Sequence, residues 1–306
     1  MSGALTPRDP ETRGKTPGVI VNFTPTGMIP TRAMTPFVPL GVAEIVEEVH
    51  RACEIGVTMI HLHARDPRTG EPAWRAEIYR DLIEGIRRFA PELVIGVSLS
   101  GRTAVDVEKR IDPLRLDGGL KPDLGSLTLS SVNFNHQASL NAPETIQRLA
   151  GEMRERGILP ELEAFDTGMI NYAAYLEHKG LLAPPHYFNL ILGNISCAQA
   201  DLLHVGVMVR DLPPRSLWSL GGIGDSQLPM NAVSIAMGGG VRVGLEDNIW
   251  LDRGRTKLAG NAELLQRVHA IATACDREIM PPGELRSLLH LERGNGCYGR
   301  RRDSGA

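Results

Sequence analysis

The feature that most constrains this chain is a regular alternation between short apolar runs and longer stretches of helical periodicity. Apolar or β-branched runs recur at 18–24, 57–63, 94–100, 125–130, 159–165, 186–192, 216–220 and 241–246. Between and after them, 42–55, 75–89, 142–156, 202–212 and 261–277 repeat apolar residues at the spacing of one helix face. Strands that alternate with helices form a parallel sheet, because parallel neighbours need a crossover. Eight such units predict an α/β chain folded as a closed (β/α)8 TIM barrel, a single domain over 17–293. The flanks 1–16 and 294–306 lack this pattern and are expected to be flexible arms.

Composition enters as a set of exclusions. Lys and Arg number 33 against 36 Asp and Glu, a formal net charge of −3, so no basic field favours nucleic acid. No apolar run approaches the roughly 20 residues that cross a bilayer, and the first residues lack a leader's apolar core. The expectation is a cytoplasmic protein with no membrane partner. The 4 cysteines stand singly, with no CxxC pair, which argues against a disulfide framework and against a cysteine zinc site.

Residue parity along the runs carries the chemistry. Alternate residues of a strand face opposite ways, and in a barrel one set meets the helices while the other meets the axis. Ile60 and Leu62 oppose His61 and His63; Val97 and Leu99 oppose Ser98 and Ser100; Leu127 and Leu129 oppose Ser126 and Thr128. Likewise Leu162 and Ala164 oppose Glu161 and Glu163, and Val243 and Leu245 oppose Arg242 and Glu246. The apolar set suits the helix layer, so the polar set points inward. Barrel interiors are ordinarily Val, Ile and Leu. Acids, histidines and hydroxyls there cost kilocalories each unless they are paired or hold a metal.

His61 and His63 project the same way and can reach one cation. Glu246, ending the last run with inward parity, is the third candidate ligand. A His2Glu set leaves positions open for water or substrate, the pattern of catalytic zinc; iron, manganese or cobalt would suit the same donors. Gly222 and Gly224, in the GGIG that follows the seventh run, are candidates to cradle a phosphate, and they read equally as turn residues. Arg242 could instead neutralise Glu161 and Glu163, and Glu161 itself reads as structural.

Six segments, in order, resemble the β-keto acid cleavage enzymes: VIVNFTPTG at 19–27, HLHARDP at 61–67, SLSG at 98–101, KPD at 121–123, PELE at 160–163 and RVGLEDN at 242–248. The resemblance implies a (β/α)8 barrel, usually a homotetramer, with a divalent metal, generally zinc. It implies conversion of a β-keto acid and acetyl-CoA to acetoacetate and a new acyl-CoA. By the same resemblance His61, His63 and Glu246 hold the metal. Asp247, Arg242 and Ser98 form a proton-abstracting triad, and Glu163 is a further catalytic carboxylate. Ser126, Thr128, Gly27, Ser100, Gly101 and Ile29 fall where substrate is held.

Departures from the family pattern bear on the substrate. Members acting on an amino substrate carry a glutamate where this chain has Ile29, and Met28, Pro30 and Met34 bring no charge. An ammonium there would lose water without gaining a partner, whereas an apolar tail gains about 0.8 kcal/mol per buried methylene. A neutral, largely apolar β-keto acid is therefore expected. Asp225 also stands where an arginine often follows Gly-Ile-Gly, removing one phosphate partner. Two other classes compete. An amidohydrolase-type metal hydrolase also uses HxH, but on its first strand and with later strand-end histidines. A non-catalytic sensor would bind a keto acid or acyl-CoA without turnover.

Overall fold

The computed structural model describes residues 17–292, so the expected arms lie outside the described residues. Eight parallel strands close a barrel in chain order. They are β1 (Val21–Phe23), β2 (Met59–Leu62), β3 (Val94–Val97), β4 (Leu124–Thr128), β5 (Leu159–Ala164), β6 (His186–Leu192), β7 (Ser216–Gly222) and β8 (Gly240–Val243). Asn22 of β1 sits opposite Arg242 of β8 and opposite Met59 of β2, which seals the cylinder. Every expected run overlaps one of these strands.

Helices cover the outside: α1 (Val42–Ile55), α2 (Ala76–Arg87), α3 (Val107–Ile111), α4 (Pro143–Arg156), α5 (Thr167–His178), α6 (Leu202–Arg210), α7 (Gln227–Met237) and α8 (Asn261–Ala274). In α2 the buried residues Ile78, Tyr79, Leu82, Ile83 and Ile86 make the apolar stripe. Pro143 opens α4 and left-handed Gly157 closes it, each the residue that its position favours. The apolar stripe of α7 is harder to read because three polar residues, Gln227, Asn231 and Ser234, are buried along it. Asn231 Nδ2 donates to the carbonyls of Leu220 (3.1 Å) and Arg242 (3.0 Å), and Ser234 Oγ donates to that of Gly240.

The parity argument holds in the upper part of the barrel and not at its base. At the base the inward residues Met59, Val94, Leu124, Leu159 and Tyr187 pack with Met280, Leu285 and Leu289 in an apolar plug. A last helix, α9 (Pro282–Leu289), covers that end. Arg286 fastens it through a bidentate pair to buried Asp123 at 2.8 and 2.9 Å, so the aspartate of KPD is an anchor for α9. Above the plug the inward layer turns polar: Asn22, His61, Ser126, Glu161, Asn189, Ser219 and Arg242 are all buried. Gly96 leaves the room this layer needs, since a Cβ there would lie 3.3 Å from Glu161 Oε2.

One expectation is corrected by the end of β8. Glu246 does not sit on the strand, which stops at Val243. Gly244 bends the chain at φ 155°, where any Cβ would overlap the Thr24 carbonyl. The bend turns Glu246 and Asp247 back across the barrel mouth, so turn geometry and not strand parity aims them inward.

Candidate active site at the barrel mouth

Donor atoms of His61, His63 and Glu246 lie within 4.8 Å of one another. His61 Nε2 is 3.2 Å from His63 Nε2, and His63 Nε2 is 3.0 Å from Glu246 Oε1. The other ring nitrogen of His61, Nδ1, meets Glu161 Oε2 at 2.6 Å. Glu161 is itself held from the far side, where Oε1 accepts from Asn22 Nδ2 (2.7 Å) and Asn189 Nδ2 (2.8 Å). Burial works against a proton on His61, but Glu161 outweighs it and lifts the imidazole to about 9. A ring made this basic, with Nδ1 committed, presents Nε2 as a strong donor to a cation. Glu246 Oε2 is buried with no hydrogen-bond partner, an open carboxylate oxygen beside two imidazoles. These residues fit a divalent ion. His61, Glu161 and Glu163 also come close together, but His61 Nδ1 and Glu161 are spent on each other.

Arg242 organises the acid side of the mouth. Its Nη2 contacts Glu246 Oε1 at 2.6 Å, and Nε and Nη2 reach the Asp247 carboxylate at 2.8 and 3.2 Å. Among the described residues its direct ion pairs are with Glu246 and Asp247 and none is with Glu161 or Glu163, although its charge still acts on both of those acids. Gly221 makes way for its stem, since a Cβ would press on Arg242 Cβ at 3.1 Å. Burial opposes ionisation of Glu246, but Arg242 and His63 overcome it and hold that carboxyl well below the usual range. For Asp247 burial wins against Arg242, and the carboxyl is raised. Two adjacent acids thus differ in proton affinity, the separation expected of a ligand and a base.

Other expected residues take the following places. Glu163 is raised by burial and accepts from Thr128 Oγ1 at 2.6 Å. Ser98 lines a narrow cleft with His63, Met28 and Ser100, and among the described residues its side chain has no hydrogen bond to Arg242 or Asp247. Ser126 Oγ accepts from the Leu99 amide at 2.9 Å and so steadies the loop after β3. Gly27, at φ 65°, lies where any side chain would overlap Glu246, and Arg65 Nε holds its carbonyl at 3.0 Å. Gly101 packs against the Leu140 carbonyl and Arg110. Ile29 is 48% exposed on the loop after β1. Gly222 has no room for a Cβ beside Ser226, and the Gly224 amide donates to the Asp247 carbonyl at 2.7 Å, positioning the acid.

Sequence reasoning missed three contributors. Asn22 and Asn189 share the inward parity of their strands, which was the available signal. Arg102, one residue beyond SLSG, carries no periodic signal at all. Its guanidinium Cζ lies 3.6 Å over the ring of Phe134, a contact made only in the folded barrel.

Comparisons with known proteins place the chain in a family. Residues 18–291 match the family model for beta-keto acid cleavage enzyme. The 3-keto-5-aminohexanoate cleavage enzyme of Fusobacterium nucleatum subsp. nucleatum is 36% identical over 265 residues, spanning 86% of this chain and 94% of that protein. The 3-oxoadipate:acetyl-CoA acetyltransferase of Cupriavidus necator is 34% identical over 279 residues, spanning 89% and 94% respectively. The apo structure of ObcA shares the fold, with a TM-score of 0.72 at 20% identity over 84% of this chain and 66% of that one. With the family model matched over residues 18–291 and a relative 36% identical across 94% of its length, the chain belongs to the β-keto acid cleavage enzymes.

Proposed function

We propose that this enzyme, an acetyl-CoA-dependent acyltransferase that cleaves a C–C bond, acts on a β-keto acid whose tail carries no ammonium group. The products are acetoacetate and the acyl-CoA of the tail. The observation that carries the reading is the pairing of raised, partly buried Asp247 with Arg242 beside the His61, His63 and Glu246 set. A divalent ion held by those three residues, zinc first among the candidates, supplies Lewis acidity toward the substrate's ketone and carboxylate oxygens.

The chain's own residues do the rest. Asp247 takes the C2 proton, and Arg242 keeps that carboxylate oriented. The C2 carbanion attacks the acetyl thioester carbonyl and releases CoA thiolate. Thiolate then attacks the original ketone carbon, where Glu163, held by Thr128, moves a proton at the ketone oxygen. The bond between that carbon and C2 opens, its electron pair stays on C2, and Asp247 returns the proton to give acetoacetate. Ser98 and Ser100 in the cleft beside His63 are proposed to bind substrate, as are Gly101, Ser126 and Thr128 around it. Gly222 and Gly224 are proposed to shape the CoA side of the mouth.

Two further features complete the reading. No described helix is long and apolar enough to cross a membrane; the location proposed is cytoplasmic. The assembly proposed is a homotetramer, and apolar side chains on α6 and α7 are what a subunit contact would cover, Leu202, Leu203 and Met237 being 71%, 74% and 70% exposed. Metal analysis tests the choice of zinc, and light scattering tests the assembly. For the reaction, β-keto acid consumption is measured with and without acetyl-CoA. Acetoacetate formed only with acetyl-CoA supports the transferase. Turnover without it marks a hydrolase, and binding without turnover marks a sensor.

A further inference from the structure

Arg102 is the arginine at the mouth that the site leaves unspent. Arg65 is committed to the carbonyls of Gly27, Gly70 and Pro30, and Arg110 to those of Leu99 and Leu140 and to Asn141. Arg242 holds Glu246 and Asp247. Among the described residues the guanidinium of Arg102 has no hydrogen bond or ion pair, and its Nε is fully buried without a partner. Glu163, Glu246 and Asp247 are close enough to act on its charge. Each of them is already engaged, with Thr128, with His63 and Arg242, and with Arg242 respectively.

The cation is also held still. Phe134 lies under it and meets Phe165 edge-on at 5.8 Å and 88°. The carbonyl of neighbouring Asn133 accepts from Asn194 Nδ2 at 2.9 Å and Ser196 Oγ at 2.8 Å, which ties this support to the loop after β6. A stacked guanidinium with its fork free is built for a planar anion, since carboxylates accept two parallel N–H bonds from it.

We infer that Arg102 is a specificity residue that receives a carboxylate at the far end of the β-keto acid, making β-keto diacids the preferred substrates. The inference rests on the reaction proposed above. The substrate's first carboxylate is the one assigned there to the metal set, which leaves the tail for Arg102. The diphosphate of CoA is the other candidate anion, but the pantetheine arm keeps it far from the reacting thioester, whereas Arg102 feels the acids of the reaction centre itself. Ile29 denies an ammonium any partner, and Arg102 would repel one. The uncharged tail suggested by Ile29 alone gives way to an anionic one, because Ile29 only withholds a partner from a cation while Arg102 offers one to a carboxylate.

The test compares 3-oxoadipate with 3-oxohexanoate, acids of equal length, in acetyl-CoA-dependent cleavage by the metal-loaded enzyme and by Arg102→Ala and Arg102→Lys. In the unmodified enzyme kcat/KM is expected to favour the diacid by about tenfold or more, the worth of a hydrogen bond to a charged group. Arg102→Ala should erase that ratio, mainly through KM for the diacid, and Arg102→Lys should restore part of it. Preference for the monoacid, or a ratio unchanged in Arg102→Ala, overturns the inference while leaving the reaction standing. So does a loss in Arg102→Ala that appears in KM for acetyl-CoA. Calorimetry with adipate and hexanoate gives a readout independent of turnover. Tighter adipate binding that disappears in Arg102→Ala supports the inference even if the reaction assignment fails; equal binding of the two acids to the unmodified enzyme overturns it. Thermal melts confirm that both variants fold.

Discussion

Glu161 Oε2 lies 2.6 Å from His61 Nδ1, and that one contact decides which His61 nitrogen faces the mouth. Both groups are fully buried, and Asn22 and Asn189 hold the carboxylate from behind. Glu161 is therefore neither idle nor reactive. It sets the tautomer and basicity of His61, a candidate metal ligand. Glu161→Gln keeps the shape and loses the charge, so metal affinity should fall about 10–100-fold, the usual effect of such a change behind a ligand. Competition with a chelator measures it, and unaltered affinity would remove Glu161 from the metal's support.

The ligand set predicts one divalent ion per chain. Purified enzyme should carry near-stoichiometric metal, and His61→Ala and Glu246→Gln should each lose it. Elemental analysis of the three proteins decides the matter. Full occupancy in both variants means that other residues bind the ion.

Asp247 is expected to be the base. Asp247→Asn keeps the side-chain volume and one of the two acceptors that face Arg242 while abolishing proton uptake, so kcat should drop about 10²-fold or more with metal content unchanged. Exchange of the C2 hydrogen with deuterated water, followed by NMR, should slow in parallel. Normal exchange in the variant would move the role to Glu163, and Glu163→Gln is the next protein to assay.

Ile29→Glu should shift specificity toward an ammonium-bearing tail. On a half-exposed loop the gain is modest, and kcat/KM for 3-keto-5-aminohexanoate relative to 3-oxohexanoate should rise roughly tenfold, the scale of one charged hydrogen bond. An unmoved ratio would show that the substrate tail does not pass this residue.

The base of the barrel offers a stability test remote from the chemistry. Arg286 and Asp123 form a buried bidentate pair, and Arg87 also reaches Asp123 at 3.3 Å. Arg286→Ala strands much of that buried charge and should destabilise the fold by about 3 kcal/mol. Denaturant unfolding gives the loss. Activity per folded molecule at low temperature should persist, because the plug beneath the site is apolar and takes no part in the reaction.

The elements that sequence alone determined are those with a local period. Strand runs read at period two, helix stripes at 3.6, and both survive in the fold: β2 carries His61 inward with Ile60 and Leu62 outward, and α1 spans the 42–55 expected for it. The inward polar layer was legible for the same reason, since Glu161, Ser126 and Arg242 alternate with apolar neighbours. Local period could not say where that layer stops. The plug of Met59, Leu124 and Leu159 has the same parity as the residues above it, and only the docking of α9 makes the base dry.

Pairings were decided by closure of the barrel. Glu246 reaches His63 across 183 residues because Gly244 bends the chain and Gly27 leaves space, two backbone events that no side-chain pattern records. Arg242 chooses Glu246 and Asp247 over Glu161 because that bend folds both acids back over its guanidinium while His61 occupies Glu161. Arg102 meets Phe134 because the loops after β3 and β4 lie side by side at the mouth. The sequence alone supplied which groups point inward; the partner each one finds depends on strand register and loop curvature, which exist only once the sheet has closed on itself.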